Sequence, residues 1–217
     1  MKIEIRDYVK KIKSATVLLG INLTLESGKI YGFRGPNGCG KTMLMRAICG
    51  LIRPTAGKVL LDGEELFKDI SFPRSVGVLL ENPSFLPGYT GKENLMMLAS
   101  IQKKIGEKDV CDALHRVGLD PLDSRRYYKY SLGMKQRLGI AAAIMEKPDL
   151  ILLDEPLNAL DESGMEQIKT AIFRERDRGA LILLACHDKE EMNLLADVIF
   201  TMAEGTITGR EEKEADK

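Results

Sequence analysis

The plainest chemical signal in this chain is the run Gly35, Pro36, Asn37, Gly38, Cys39, Gly40, Lys41, Thr42, which matches G-x-x-x-x-G-K-[ST]. Glycines let a backbone curl until several N–H groups point inward at phosphate oxygens. Lys41 adds a positive charge for the β- and γ-phosphates, and Thr42 offers a hydroxyl to Mg²⁺. A helix starting at this point would aim its positive dipole end at the same anion. Such a cradle must be fed by a strand and followed by a helix. The apolar stretch 29–33 runs straight into it, and 43–51 has helical spacing that stops before Pro54.

Phosphate chemistry needs a second, acidic site for the metal and the water. Four apolar residues, 150–153, are followed at once by Asp154, Glu155 and Pro156. Asp154 would hold the magnesium shell and Glu155 would act on the attacking water as base or polarising group. Alone, two acids at a strand end could equally be solvated turn carboxylates. Beside a phosphate cradle they complete a hydrolytic site.

The elements that would position these groups are legible from periodicity. Segments 2–6 and 17–26 alternate as strands, and 59–61 enters a tight turn at Asp62-Gly63. The apolar run 76–80 reads as a strand buried on both faces. From 83 to 148 the patterns are helical: Thr90-x-x-Glu93 is a capping box, 109–117 is amphipathic, and Ser131 can cap a helix over 132–146. His115, on the amphipathic stretch, reads as structural. Strand and helix alternate again over 150–153, 161–178, 180–185, 190–196 and 198–202. The layout is α/β with a mainly parallel sheet and a helical insertion, and 210–217 reads as a frayed, charged tail.

Composition removes several classes of function. The 217 residues suit one domain, or one with an inserted subdomain, and 44% hydrophobic content suffices for a sizeable core. The 32 basic and 32 acidic residues balance, which argues against a nucleic-acid partner. The opening residues mix charges of both signs, so no secretory signal is expected. The longest apolar runs, 140–145 and 180–186, fall short of the roughly 18–20 residues that span a bilayer, so a soluble protein is expected. Cys39, Cys49, Cys111 and Cys186 show no metal-ligand spacing and read as reduced thiols in a cytoplasmic protein.

From about residue 2 to 209 the chain resembles the nucleotide-binding subunits of ABC transporters. Tyr130-Ser131-Leu132-Gly133-Met134-Lys135-Gln136-Arg137 is similar to the family's signature, Asn158 to Asp161 to its D-loop at the dimer seam, and His187 to its switch histidine. The resemblance implies a RecA-like P-loop NTPase core over 1–82 and 148–209, with an N-terminal antiparallel β-subdomain and a helical signature subdomain at 83–147. It implies ATP and Mg²⁺ as cofactors, Glu155 and His187 as catalytic residues, and Thr42, Asp154 and Glu81 at the metal. Ser131, Leu132, Gly133 and Met134 would act on ATP held by an opposite, homologous subunit. An integral membrane permease would be the second partner, placing the chain on the inner face of the cell membrane.

Three departures qualify the resemblance. Leu132 and Met134 replace the common glycine and glutamine, although Ser131 and Gly133 are retained. Glu81 stands where the family usually has glutamine; a carboxylate there can still ligate Mg²⁺ but adds negative charge near the γ-phosphate, raising dependence on Mg²⁺. Ile12 occupies the position of the adenine-stacking aromatic, with Tyr8 the nearest aromatic, which would relax discrimination among nucleotides. Together these motifs are similar to the bacterial bacitracin-resistance and lantibiotic-immunity exporter branch. The expected function is an ATPase subunit powering transport, with the export direction implied by that branch resemblance alone. The alternatives are a soluble ATPase of the same superfamily, a P-loop small-molecule kinase, or a nucleotide sensor without turnover.

Overall fold

The computed structural model describes residues 1–213. Strands β1 (Lys2–Ile12), β2 (Ala15–Glu26), β4 (Ala56–Leu61) and β5 (Glu64–Glu65) form an antiparallel sheet in the order β2-β1-β4-β5. Asp62 and Gly63 take φ of 49° and 89°, the left-handed pair that a tight hairpin turn requires between β4 and β5. The second sheet contains β3 (Ile30–Arg34), β6 (Val76–Leu79), β7 (Leu150–Asp154), β8 (Leu181–Cys186), β9 (Val198–Ala203) and β10 (Thr206–Glu212). Its order is β10-β9-β3-β8-β7-β6, parallel throughout except for β9 with β10.

Strand side chains alternate between two cores, as the two-residue period demands. Tyr31, Phe33, Leu150, Leu152, Leu181 and Leu183 pack toward the antiparallel sheet and α1 (Lys41–Ile48). Ile30, Ile151, Leu153, Ile182 and Leu184 pack toward the remaining helices. Covered on both faces, β7 and β8 are wholly buried, which is why they read as unbroken apolar runs. The helices on that side are α2 (Gly91–Gln102), α3 (Glu107–Arg116), α4 (Leu132–Ile144), α5 (Glu162–Asp177) and α6 (Lys189–Leu195). Thr90 and Glu93 form the expected capping box on α2, each side chain accepting from the other's backbone N–H. Buried Glu175 on α5 receives Arg116 of α3 at 3.0 Å and Arg178 at 2.7 Å, tying the helical insertion to the core.

Two sequence expectations need correction. The apolar run 76–80 is not buried on both faces: β6 is the sheet edge, and Val78 is 36% exposed. Its outer side borders a cleft shared with Leu98 and Ile101, so Val76 and Val78 have apolar neighbours without being covered. The charged tail is not frayed from its start either. Arg210, Glu211 and Glu212 belong to β10 and pair with Phe200, Ile199 and Val198. Cross-strand hydrogen bonds and the Lys29–Glu212 ion pair hold residues that composition alone marks as disordered. The remainder of that expectation, 214–217, lies outside the described residues.

The signature helix sits very close to the edge strand. A Cβ on Gly77 would lie 1.8 Å from the Ala143 carbonyl oxygen of α4, so only glycine allows this approach. Gly77→Val is expected to lower stability by about 3 kcal/mol, read as a reduced urea midpoint.

Candidate functional site

The loop between β3 and α1 builds the cradle. Gly38 and Gly40 have φ of 81° and 111°, left-handed values at which a side chain would be strained. Lys41 Nζ donates to the carbonyl oxygens of Gly35 at 2.6 Å and Pro36 at 3.3 Å, so the ammonium lies over the curled loop. Cys39 is buried, and its backbone N–H donates to the Pro36 carbonyl. Val17, Asn37, Gly38, Gly40, Lys41, Thr42, Asp154 and Glu155 line one cavity of about 280 Å³.

Thr42 Oγ1 donates to Asp154 Oδ2 at 2.6 Å, which joins the cradle to the end of β7. A half-buried hydroxyl beside a buried carboxylate offers hard oxygen donors of the kind Mg²⁺ prefers. Burial pushes the Asp154 carboxyl above its ordinary range; the Thr42 hydrogen bond opposes this, while the charges of Glu155 and Glu81 add to it. A cation at this point would relieve that penalty. The donor set therefore fits Mg²⁺.

Glu155 sits in the left-handed region at φ 49°, and its N–H donates to the Ala185 carbonyl at 2.8 Å. The turn aims its carboxylate at His187. Oε1 accepts from the His187 backbone N–H at 3.1 Å and lies 2.9 Å from its Nδ1. That contact holds the imidazole's pKa above its ordinary 6.5. From the other side, buried Gln136 of α4 donates through Nε2 to the Glu155 carbonyl at 2.9 Å. Gln136 had no distinctive signal in the sequence beyond its place in the signature run. Buried Asn94 was also missed: it accepts from the Leu86 N–H and donates to the carbonyls of Leu86 and Thr90, fixing the loop after Glu81.

The other motif residues lie elsewhere. Ser131 caps α4 by accepting from the Met134 N–H at 3.2 Å, which leaves its own proton free to donate. Ser131, Leu132, Gly133 and Met134 line a separate open cavity of about 630 Å³ that also includes Asp161. Asp161 caps α5 through Gly164 and pairs with Arg137 at 3.1 Å. Asn158 is exposed in the turn after Glu155, its N–H bonded to the Glu155 carbonyl. Glu81 has φ 63° and pairs with Arg46 at 2.6 Å. Ile12 ends β1 at the β1–β2 hairpin, 44% exposed, and is not among the cradle's lining residues.

A glycine-rich strand-to-helix turn beside a strand-end acid pair, in a mainly parallel sheet, defines the class: a P-loop nucleoside triphosphatase. The family model described as ABC transporter matches residues 18–158. A Bacillus subtilis (strain 168) ABC transporter ATP-binding protein, YybJ, is 48% identical over 97% of this chain and 96% of its own length. The bacitracin transport ATP-binding protein BcrA of Enterococcus faecalis is 41% identical over 94% of this chain and 67% of its own. The lantibiotic transport ATP-binding protein SrtF of Streptococcus pyogenes is 33% identical over 94% and 88%. In fold, a bacterial ABC transporter cassette solved as a dimer superposes with a TM-score of 0.88 at 24% identity, covering 98% of this chain and 99% of that one. The chain belongs to the ABC transporter family, as its ATP-binding, ATP-hydrolysing subunit.

The Glu155–His187 pair makes a pH prediction. Because the folded pKa of His187 is raised, the pair's contribution to stability is complete below about pH 6.5 and is lost as pH rises through the raised midpoint. An NMR titration of the imidazole should give a midpoint above 6.5 in the wild type. In Glu155→Gln it should fall toward the ordinary value.

Proposed function

We propose that two copies of this chain, or one copy and a homologous partner, close head to tail over two ATP molecules and power export through a separate membrane subunit. The observation carrying this reading is that cradle and signature line two cavities with no residue in common. One chain therefore supplies two different halves of a site. In the closed pair, Lys41 and the loop N–H groups hold the phosphates from one side. Ser131 and Gly133 of the opposite chain, at the N-terminus of its α4, donate from the other. Mg²⁺ held by Thr42 and Asp154 would neutralise the phosphates and the developing charge; Glu81, engaged by Arg46, is not counted among its ligands. Glu155 orients and deprotonates the attacking water; His187 holds that carboxylate and faces the γ-phosphate. Asn158 and Asp161 lie along the seam.

The relatives named as bacitracin transport and lantibiotic transport ATP-binding proteins support an antibiotic class of cargo. Among the described residues no helix is long and apolar enough to cross a membrane, so the pathway would belong to the partner. A cavity of about 310 Å³ lined by Phe85, Leu86, Met97, Leu98 and Ile101 presents apolar side chains beside the Asn94-pinned loop. We assign the permease to this groove, which places the chain on the inner face of the membrane. A small-molecule kinase would account for Lys41 and Asp154 but leaves the Ser131–Gly133 cavity and the Glu155–His187 pair without a task.

Glu155→Gln should cut ATP turnover at least about 100-fold and trap an ATP-bound dimer, seen by size exclusion with light scattering. A strictly monomeric Glu155→Gln protein carrying ATP would sink the proposal. Ile12 gives a second check. An aliphatic adenine contact should let GTP displace a fluorescent ATP analogue within about ten-fold of ATP itself, and poor competition would remove Ile12 from the nucleotide site.

A further inference from the structure

Glu81 introduces a third carboxylate beside Asp154 and Glu155, at a site whose ligand is itself polyanionic. Yet Glu81 does not face that site unaccompanied. Its Oε1 accepts from Arg46 Nη2 at 2.6 Å. Arg46 lies in the last turn of α1, four residues after Thr42 and so on the same face of the helix. That spacing sets the Arg46 backbone about 6 Å along the axis from that of Thr42.

Stability does not explain the pair. The two side chains are 34% and 63% exposed, and exposed ion pairs contribute only about 0–1 kcal/mol. Glu81 also holds a left-handed φ of 63°, an uncommon conformation for a residue with a side chain. A strained backbone and a short ion pair together fix where one carboxylate goes.

Resting on the nucleotide-site reading above, we propose that Arg46 is a positioning residue: its guanidinium holds the Glu81 carboxylate, so an acid can occupy this loop without lying against the γ-phosphate. Nucleotide without Mg²⁺ has no cation to screen Glu81 and depends most on this restraint. Removing Arg46 does two separable things. It deletes a positive charge, which acts through space whatever stands at position 81, and it frees Glu81 to swing toward the cradle, which happens only when 81 is an acid.

The test is a double-mutant cycle on nucleotide affinity, using fluorescent trinitrophenyl-ATP with the full chain in Mg²⁺ and in EDTA. The readout is the ratio of the two dissociation constants, which loss of packing alone would leave unmoved. Arg46→Gln should raise the EDTA-to-Mg²⁺ ratio about five-fold with Glu81 present, and by less than about two-fold in a Glu81→Gln background. Arg46→Lys should keep the wild-type ratio, and Arg46→Met, which retains the apolar stem, should repeat the glutamine result if that variant folds poorly. Equal shifts in both backgrounds would reduce Arg46 to a distant charge and overturn the proposal, as would no shift at all. A wild-type chain that binds no nucleotide under either condition would instead overturn the function reading.

Discussion

Everything chemical in this molecule depends on the register of three adjacent parallel strands. β3 pairs with β8 so that Arg34 stands opposite Cys186, and β8 pairs with β7 so that Ala185 stands opposite Asp154. The chain therefore leaves the sheet at one level in three places: into Gly35, into Glu155 and into His187. Residues far apart in sequence become neighbours because parallel strands end together and the helices return on the faces. A one-residue slip of β7 would turn Asp154 from the cradle to the opposite face of the sheet. Burial of both sheet faces makes such a slip expensive, since it would exchange the two cores' side chains.

Strain is concentrated where that level is reached. Glu155 and Glu81 both hold positive φ, at 49° and 63°, although neither is glycine. Each such residue costs of order 1–3 kcal/mol unless its surroundings compensate. At Glu155 the compensation is visible: Ala185 accepts its N–H, Gln136 donates to its carbonyl, and the His187 N–H binds its carboxylate. Three elements, β8, α4 and the loop after β8, thus specify one carboxylate's direction. Because Gln136 belongs to the signature helix, its hydrogen bond couples α4 directly to the backbone of Glu155, the residue proposed to act on water.

Local patterns made much of this legible. A phosphate loop is contiguous, so Gly35 to Thr42 could be read without any tertiary knowledge, and the caps at Thr90 and Ser131 are likewise short-range. What sequence could not carry was pairing across distance. Nothing near Arg46 marks Glu81 as its partner, 35 residues away, and Gln136 sits 19 residues before the carbonyl it holds. The same limitation explains the errors over strands. Apolar content marks residues 76–80 as buried but cannot say that β6 is last in its sheet, and charge marks 210–212 as solvated but not as a partner for β9. Ile12 shows the converse case, a motif position legible by alignment whose side chain lies outside the lining of the cradle.

The distribution of helix charges bears on the proposed division of the site between chains. Among the described residues α2, α3, α5 and α6 each carry an acid in the first turn, which complements the positive end of the helix dipole. Helices α1 and α4 carry none. α1 goes further and begins with Lys41, a cation placed against the positive end, an arrangement that repels itself until an anion sits between. α4 begins at Ser131 and opens on a broad, solvent-accessible cavity. Neither helix carries an acid in its own first turn, and the two termini open on different cavities of the same chain. A triphosphate gripped by Lys41 of one chain and capped by α4 of another satisfies both at once. The attraction that closes such a pair then comes from the nucleotide, and cleaving its terminal phosphate removes the charge that α4 was holding.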